Sequence, residues 1–211
     1  MTAVSLDALD LAALLCSRVC HDVISPVGAI VNGLEVLEDE KDPAMREFAQ
    51  QLIARSARQA SARLQYCRIA FGAAGSAGAE IDTGDAEQVA RSFFSDDRTR
   101  LAWSGPRLLL PKNRVKLLLN LLLIAATAIP RGGDVAVAIS DDGAAFTVRA
   151  TGRNARIPAK VEALIAGEAP DGVIDAHAIQ PYYAGLVARA AGMAVRFSQD
   201  GETVTLAAAP A

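Results

Sequence analysis

Apolar residues in the first third of the chain recur at alternating steps of four and three positions, the pattern of a helix packed in a bundle or coiled coil. Ser5 is the predicted N-cap of this first helix, and a polar turn over 38–42 ends it. Pro43 then suits the first turn of a second helix over 43–71, where its missing N–H has no helical partner to lose. The predicted seam of the first helix is Leu9, Ala13, Cys16, Cys20, Val23, Val27, Ile30, Leu34 and Leu37.

The short connection between the two helices predicts that they lie antiparallel as a helical hairpin. Each helix has an apolar stripe, and one hairpin of this length cannot bury both stripes by itself. We therefore expect two copies of the chain to pair as a homodimer whose hairpins form a four-helix bundle.

The rest of the chain predicts a second domain that mixes helices and strands. A linker rich in glycine and alanine, residues 73–84, separates the hairpin domain of residues 1–72 from the second domain of residues 85–211. The predicted fold class is α+β, with an N-terminal αα-hairpin followed by an α/β sandwich of one sheet with helices on one face. The second domain's predicted helices are 85–94, 111–129, 158–165 and 177–191, and its predicted strands are 99–103, 108–110, 134–139, 145–150, 194–197 and 203–207.

Composition and charge restrict the classes of partner. The 211 residues are 52% hydrophobic and carry a net charge of −3, so no basic field predicts nucleic-acid binding. The longest apolar run, 117–129, is interrupted by Asn120 and is shorter than the roughly 17 to 25 residues that span a bilayer. Asp7 and Asp10 come before any arginine, which is not the start of a secretory signal. We expect a cytoplasmic protein with neither nucleic acid nor membrane among its partners.

The three cysteines predict no disulfide framework. Cys16 and Cys20 stand four residues apart on one helical face, which is half of a metal-binding pattern, but no second pair completes it. We expect Cys16, Cys20 and Cys67 to be small buried thiols and predict no metal site.

His21 is the strongest candidate for chemistry. It follows the seam residue Cys20, so it should lie off the seam and face water or a partner. An imidazole is a good phosphoryl acceptor, because one ring nitrogen can attack while a hydrogen bond holds the other. The alternative is an ordinary solvated histidine beside an acidic residue.

The neighbours of His21 favour the chemical interpretation. Asp22 can fix the tautomer of the imidazole or take a proton, and Arg18, one turn before, can balance phosphoryl charge. Ser25 follows one turn later. Pro26 removes a backbone hydrogen bond in mid-helix at a cost of about 3 kcal/mol, and such a cost close to the histidine indicates a function.

The segment 21–26, HDVISP, resembles the H-box of sensor histidine kinases, and the domain that follows resembles their ATP-binding domain. This resemblance implies that His21 is the phosphorylated residue of a dimerisation hairpin. Asp22, Ser25 and Pro26 match the H-box in position. At the position of Ser25 the kinases often place Thr or Asn, which positions water for dephosphorylating the partner.

The motifs that hold ATP in those kinases are missing here. When the buried helix is aligned on Asn120, the magnesium-binding asparagine falls at Ile124, which cannot coordinate a hard cation. The acid and Gly-x-Gly turn are replaced by TGRNARIP at 151–158, and the second glycine-rich loop by DAHAIQ at 175–180. We expect no ATP binding and no autokinase activity. For His177, within the second of these segments, a capping or surface role is expected.

A hairpin with an H-box and a degenerate ATP domain is similar to the ChpT-type histidine phosphotransferases of bacteria. That resemblance implies a homodimer in a cell-cycle or developmental phosphorelay. It would accept a phosphoryl group from the receiver domain of a hybrid kinase and pass it to the receiver aspartates of response regulators. The receiver would bring its own Mg²⁺, so no cofactor belonging to this chain is expected.

The receiver-binding surface is expected on the exposed part of the first helix beyond His21. The missing side chain of Gly28 would let a partner helix approach, although a packing notch within the dimer explains this glycine equally well. Two other functions stay open: an ATP-dependent sensor kinase core, and a non-catalytic dimeric adaptor of response regulators. The expected surface residues are Ile24, Val27, Gly28, Val31 and Asn32.

Overall fold

The computed structural model describes residues 2–72, 79–95, 98–169 and 172–211. Its helices are α1 (Ala8–Asp39), α2 (Pro43–Ala70), α3 (Thr83–Phe93), α4 (Lys112–Ala128), α5 (Val161–Ala166) and α6 (Ile179–Ala190). Its strands are β1 (Thr2–Ala3), β2 (Glu80–Asp82), β3 (Thr99–Ser104), β4 (Leu109–Pro111), β5 (Gly133–Ile139), β6 (Phe146–Thr151), β7 (Glu168–Ala169), β8 (Met193–Asp200) and β9 (Thr203–Pro210).

The first two helices form the predicted hairpin. The N-cap of α1 is Asp7 and not Ser5, because the Asp7 carboxylate accepts a hydrogen bond from the backbone N–H of Asp10 at 2.8 Å. Asp42 caps α2, whose first residue is Pro43 as predicted. Arg46 donates to carbonyl oxygens at the end of α1 and in the turn, and so ties the two helices together at the closed end of the hairpin.

The predicted seam of α1 divides into two faces. Pro26 and Gly33 are the buried residues of α1, each one position before a predicted seam residue. Pro26 and Gly33 lie on the side of α1 that faces α2. The predicted seam mixed residues of this side with residues of a neighbouring side, because apolar spacing alone does not tell which side of α1 contacts α2. Of the predicted seam, Val23, Ile30 and Leu37 are half-buried, whereas Leu9, Ala13, Cys16, Cys20, Val27 and Leu34 are exposed.

The cysteines follow the same division. The expectation that Cys16 and Cys20 are buried is wrong, since both are exposed on α1, while Cys67 is buried on α2 as expected. Burial raises the pKa of the Cys67 thiol to about 11, so this thiol is protonated and unreactive at neutral pH.

The C-terminal part is an α+β sandwich, as predicted. A five-stranded sheet has the order β3-β5-β6-β9-β8, in which β3 and β5 are parallel and the other pairs are antiparallel. Buried and exposed residues alternate along β5, β6 and β9, which is the pattern of a sheet covered on one face. Helix α4 packs on that face and is buried along almost its whole length, as expected for residues 111–129.

The structure differs from the sequence prediction at β2, α5 and α6. Strand β2 begins at Glu80, within the segment predicted as a linker over 73–84, and pairs with β4; residues 73–78 lie outside the described residues. Helix α5 begins at Val161 and not at residue 158, after Lys160 adopts a left-handed conformation with φ of 67°. Helix α6 begins at Ile179 and not at His177.

The hairpin packs against the C-terminal part at two places. At the base, the hydroxyl of Tyr66 in α2 donates to the carbonyl oxygen of Leu119 in α4 at 2.6 Å. Near the N-terminus, the hydroxyl of Tyr182 in α6 donates to the carbonyl oxygen of Val4 at 3.1 Å. Strand β1 also pairs with β7, a contact that the sequence pattern did not predict. An apolar cluster joins the same surfaces: Leu6, Leu11, Leu14, Leu15, Leu164, Ile174, Ile179 and Tyr182.

By length and composition alone, α1 is long and apolar enough to cross a membrane. Its apolar residues are distributed over several faces, and two of these faces are occupied in the fold. Pro26 and Gly33 pack in the hairpin, and Leu11 and Leu14 pack in the cluster with α6.

Candidate phosphotransfer site

His21 lies on the solvent-facing side of α1, with 72% of its side chain exposed. Its Nδ1 is 3.7 Å from Oδ1 of Asp22. A carboxylate on the Nδ1 side favours the tautomer that carries its proton there, which leaves Nε2 with the free lone pair. The geometry therefore presents an accessible nucleophilic nitrogen.

Asp22 is held between Arg18 and His21. Its side chain is only 12% exposed, and its Oδ2 accepts a hydrogen bond from Nε of Arg18 at 3.1 Å, one helical turn earlier. The predicted trio of Arg18, His21 and Asp22 is therefore assembled on one helix. Arg18 fixes the carboxylate that faces the imidazole.

Arg63 of α2 is a site residue that sequence reasoning missed. Pro26 has no N–H, so the carbonyl oxygen of Asp22, four residues earlier, lacks its helical donor. The Nη1 of Arg63 donates a hydrogen bond to that oxygen. The proline thus leaves a backbone acceptor beside His21 without a helical donor, and Arg63 of α2 donates a hydrogen bond to it. In the sequence, only Pro26, four residues after Asp22, indicated that the carbonyl oxygen of Asp22 needs a donor from outside α1.

Ser25 and Pro26 take different positions around the same turn. Ser25 is exposed, one turn after His21, and Pro26 is buried in the hairpin. Helix α1 continues through Pro26 without a break, although the proline removes one helical hydrogen bond.

The residues predicted to bind a receiver are accessible. Asn32 is exposed, and a Cβ added at Gly28 would meet nothing within 4 Å, so Gly28 is not a packing notch within this chain. Ile24, Val27 and Val31 are 69%, 43% and 48% exposed. Together with Cys20 and Leu34 they form a continuous exposed strip, hereafter the apolar stripe. It runs along α1 beside the row formed by His21, Gly28 and Asn32.

The C-terminal part brings a second histidine to the site. The imidazole of His177 lies 6.3 Å from that of His21 between ring centroids, with the ring planes at 76°. The sequence placed His177 in a loop but gave no sign of this proximity, since the packing of α6 against α1 creates it.

The loop that carries His177 is organised by Asp175. Its Oδ1 accepts hydrogen bonds from the backbone N–H groups of His177 at 2.9 Å and of Ala178 at 2.8 Å. These bonds, the one from Ala178 foremost, hold the pKa of the Asp175 carboxyl below its usual range. The expected surface position of His177 is observed, and Asp175 closes the turn that precedes α6, whose N-cap position is Ala178.

A cavity of about 430 Å³ opens next to these residues, between α1 and the C-terminal part. Its wall includes Ile124, whose side chain is buried, and Lys160. Asn120 is fully buried; its amide donates to the carbonyl oxygens of Ala70 and Lys116, and its Oδ1 accepts from Gln180. This asparagine is therefore occupied in joining α2, α4 and α6.

Over the described ranges 2–72, 79–95, 98–169 and 172–211, no three His, Cys, Asp or Glu side chains are grouped as a metal site. The exposed Cys16 and Cys20 are accordingly not joined by further ligands there.

Comparison with known proteins assigns the chain to a class. Residues 83–203 match the family model of the histidine phosphotransferase C-terminal domain. Protein phosphotransferase ChpT of Brucella abortus (strain 2308) is 55% identical over 207 residues, covering 97% of this chain and 98% of that protein. A solved structure of a bacterial phosphotransferase matches with a TM-score of 0.90 and 51% identity, covering 99% of this chain and 100% of that one.

The fold and the matches define a protein phosphotransferase of two-component signalling. The chain belongs to the ChpT family of bacterial protein phosphotransferases. The family and enzyme class that the H-box and the degenerate ATP domain implied are thereby confirmed.

Proposed function

We propose that His21 accepts a phosphoryl group from the aspartyl phosphate of a hybrid kinase's receiver domain and passes it to the receiver aspartates of response regulators. The observation that carries this proposal is the exposed imidazole of His21, backed on its Nδ1 side by a carboxylate that Arg18 holds in place.

The transfer step is a displacement at phosphorus. The lone pair of Nε2 attacks, the N–P bond forms as the P–O bond to the donor aspartate breaks, and the electron pair leaves with the donor carboxylate. The ring keeps its Nδ1 proton and becomes cationic, so the carboxylate of Asp22 3.7 Å from Nδ1 stabilises the product. Onward transfer is the reverse, with a second receiver's carboxylate as the nucleophile.

The receiver supplies the Mg²⁺ in this mechanism, and the chain has no cofactor of its own. Its contribution is to position one nucleophile against a docked partner, which removes most of the entropic part of the barrier. Ser25 is exposed one turn from His21, at the position where the kinases often place Thr or Asn.

The chain acts as a homodimer in this proposal. A second copy would cover the apolar stripe and complete a four-helix bundle. Leu64 of α2, which is 49% exposed on a groove shared with Cys16, supports this arrangement. Val27 and Val31 then belong to the bundle, while the receiver contacts Gly28 and Asn32, in the same helical column as His21, together with Ile24 at the edge.

ATP has no part in the reaction. Ile124 stands where the kinases place their magnesium ligand, and the amide of Asn120 is committed to backbone carbonyls. We propose a cytoplasmic protein of a cell-cycle phosphorelay, with neither nucleic acid nor membrane among its partners. The family resemblance and the net charge of −3 support this part of the proposal.

Replacement of His21 tests the function. A receiver domain loaded with acetyl phosphate is mixed with the wild-type chain and with His21→Ala, and phosphorylation is followed on Phos-tag gels at neutral pH. The wild type should gain an acid-labile, base-stable phosphoryl group, and His21→Ala should gain none while remaining folded. His177→Ala removes the other histidine of the chain and should still be labelled, although to a lower extent than the wild type.

Three results would contradict the proposal. Labelling of His21→Ala would place the acceptor elsewhere. Receiver binding without any label on the wild type would indicate the adaptor function. Labelling of the chain by ATP alone, or micromolar binding of an ATP analogue with Mg²⁺ in calorimetry, would indicate an ATP-dependent sensor kinase core instead.

A further inference from the structure

Three features fix the position of His177 opposite His21. Its loop is closed by the two backbone hydrogen bonds to Asp175. The buried residues Ile174 and Ile179, one on either side of the loop, belong to the apolar cluster that packs on α1. The hydroxyl of Tyr182 then binds the backbone of the segment before α1. The spacing between the two imidazoles is therefore a property of the folded chain.

The charges around the pair complement an anion on His21. Arg18 and Asp22 form an ion pair on α1, so the carboxylate is neutralised beside the imidazole. The carboxylate of Asp175 accepts its backbone hydrogen bonds on the loop side. Arg18, Lys160 and His177 all border the same cavity, which the carboxylate of Asp175 also borders, so N–H donors outnumber carboxylates in its wall.

The distance between the rings suits a shared ligand. At 6.3 Å between centroids, the rings are at the long end of the range for edge-to-face contact. A phosphoryl group on His21 adds three acceptor oxygens that project beyond the ring. A ring N–H of His177 is then within reach of one of those oxygens, across the joint between the two parts of the chain.

We propose that His177 is a phosphoryl-binding residue: its ring N–H donates a hydrogen bond to the phosphoryl group on His21 and stabilises the phosphorylated form. The proposal rests on the proposed phosphorylation of His21. The C-terminal part then takes part in the transfer itself, because it carries His177, the hydrogen-bond donor. No proton is transferred to or from His177 in this step.

Two substitutions separate a donor from a packing role. His177→Phe keeps a planar ring without an N–H donor, and His177→Gln keeps an N–H donor without the ring. Each variant and the wild type are equilibrated with a receiver domain loaded with acetyl phosphate after excess acetyl phosphate is removed, and the ratio of phosphohistidine to phosphoaspartate is measured. Val173→Ala, at an exposed residue of the same loop, is the control.

His177→Phe should lower the equilibrium ratio of phosphohistidine to phosphoaspartate about fivefold, as expected for the loss of one charge-assisted hydrogen bond at a partly exposed site. His177→Gln and Val173→Ala should stay close to the wild type. A His177→Phe ratio equal to the wild-type ratio would overturn the proposal, and so would equal losses in both His177 variants. If the wild type itself gains no phosphohistidine, the proposed function fails and this inference with it.

Discussion

At the scale of single residues, the site depends on a hydrogen bond that is missing from α1. Pro26 leaves the carbonyl oxygen of Asp22 without a helical donor, and Arg63 supplies one from α2. The backbone of the residue that orients His21 is thereby fastened to the other helix of the hairpin. The proline of the H-box is thus part of a cross-helix contact.

A double-mutant cycle tests this contact. Arg63→Met keeps the aliphatic stem, and it should lower the free energy of unfolding by about 1 kcal/mol when Pro26 is present. With Pro26→Ala, the new N–H restores the helical bond to Asp22, so the loss should be much smaller. Urea unfolding of the four proteins gives the coupling energy, with Arg58→Met as the control. Equal losses in both backgrounds would mean that Arg63 acts independently of the proline.

At the scale of the elements, two glycines of α1 have opposite surroundings. A Cβ at Gly33 would lie 2.6 Å from Cγ1 of Ile53 in α2, whereas a Cβ at Gly28 would meet nothing within 4 Å. Gly33 therefore sets the closest approach of the two helices. Gly28 leaves a gap in the surface beside His21.

Alanine substitutions should separate the two roles. Gly28→Ala should raise the free energy of unfolding by up to about 1 kcal/mol, because alanine is the better helix former. Gly33→Ala gains the same propensity but overpacks the hairpin, so it should be about 1 to 3 kcal/mol less stable than Gly28→Ala. Urea denaturation measures both. Similar stabilities would show that α2 moves away from position 33 without cost.

At the scale of the whole molecule, the exposed apolar stripe is the feature that a single chain leaves unexplained. Cys20, Ile24, Val27, Val31 and Leu34 continue along α1 over several turns. A contiguous apolar surface of this kind is typical of an interface. Because the C-terminal part packs on another side of α1, the stripe remains open to a second copy of the chain.

A charge placed in the stripe should dissociate the proposed dimer. Val27→Asp should shift the molecular mass in light scattering from two copies towards one, since a buried unpaired carboxylate in the bundle is strongly unfavourable. Asn32→Asp adds the same charge outside the stripe and should leave the mass unchanged. A Val27→Asp protein that keeps the wild-type mass would remove the stripe from the interface.

Much of the architecture was predictable from the sequence. The hairpin, the buried helix α4 and the strands β5 and β6 follow from apolar periodicity, which is a local signal. The N-cap of α1 at Asp7 and the short pairs β1–β7 and β2–β4 were missed. Which carboxylate caps a helix and which short segments pair are decided by contacts between residues far apart in the sequence.

The sequence by itself determined the residues on which the proposed chemistry rests: one imidazole on a helix, an acid beside it, a proline five residues later and no nucleotide motifs. These are properties of residue type and spacing along a single helix. Only the tertiary structure decided which stripe of α1 meets α2, that Arg63 fills the acceptor opened by Pro26, and that His177 faces His21. Those pairings depend on how helices pack on each other, and spacing along one helix carries no information about its neighbours.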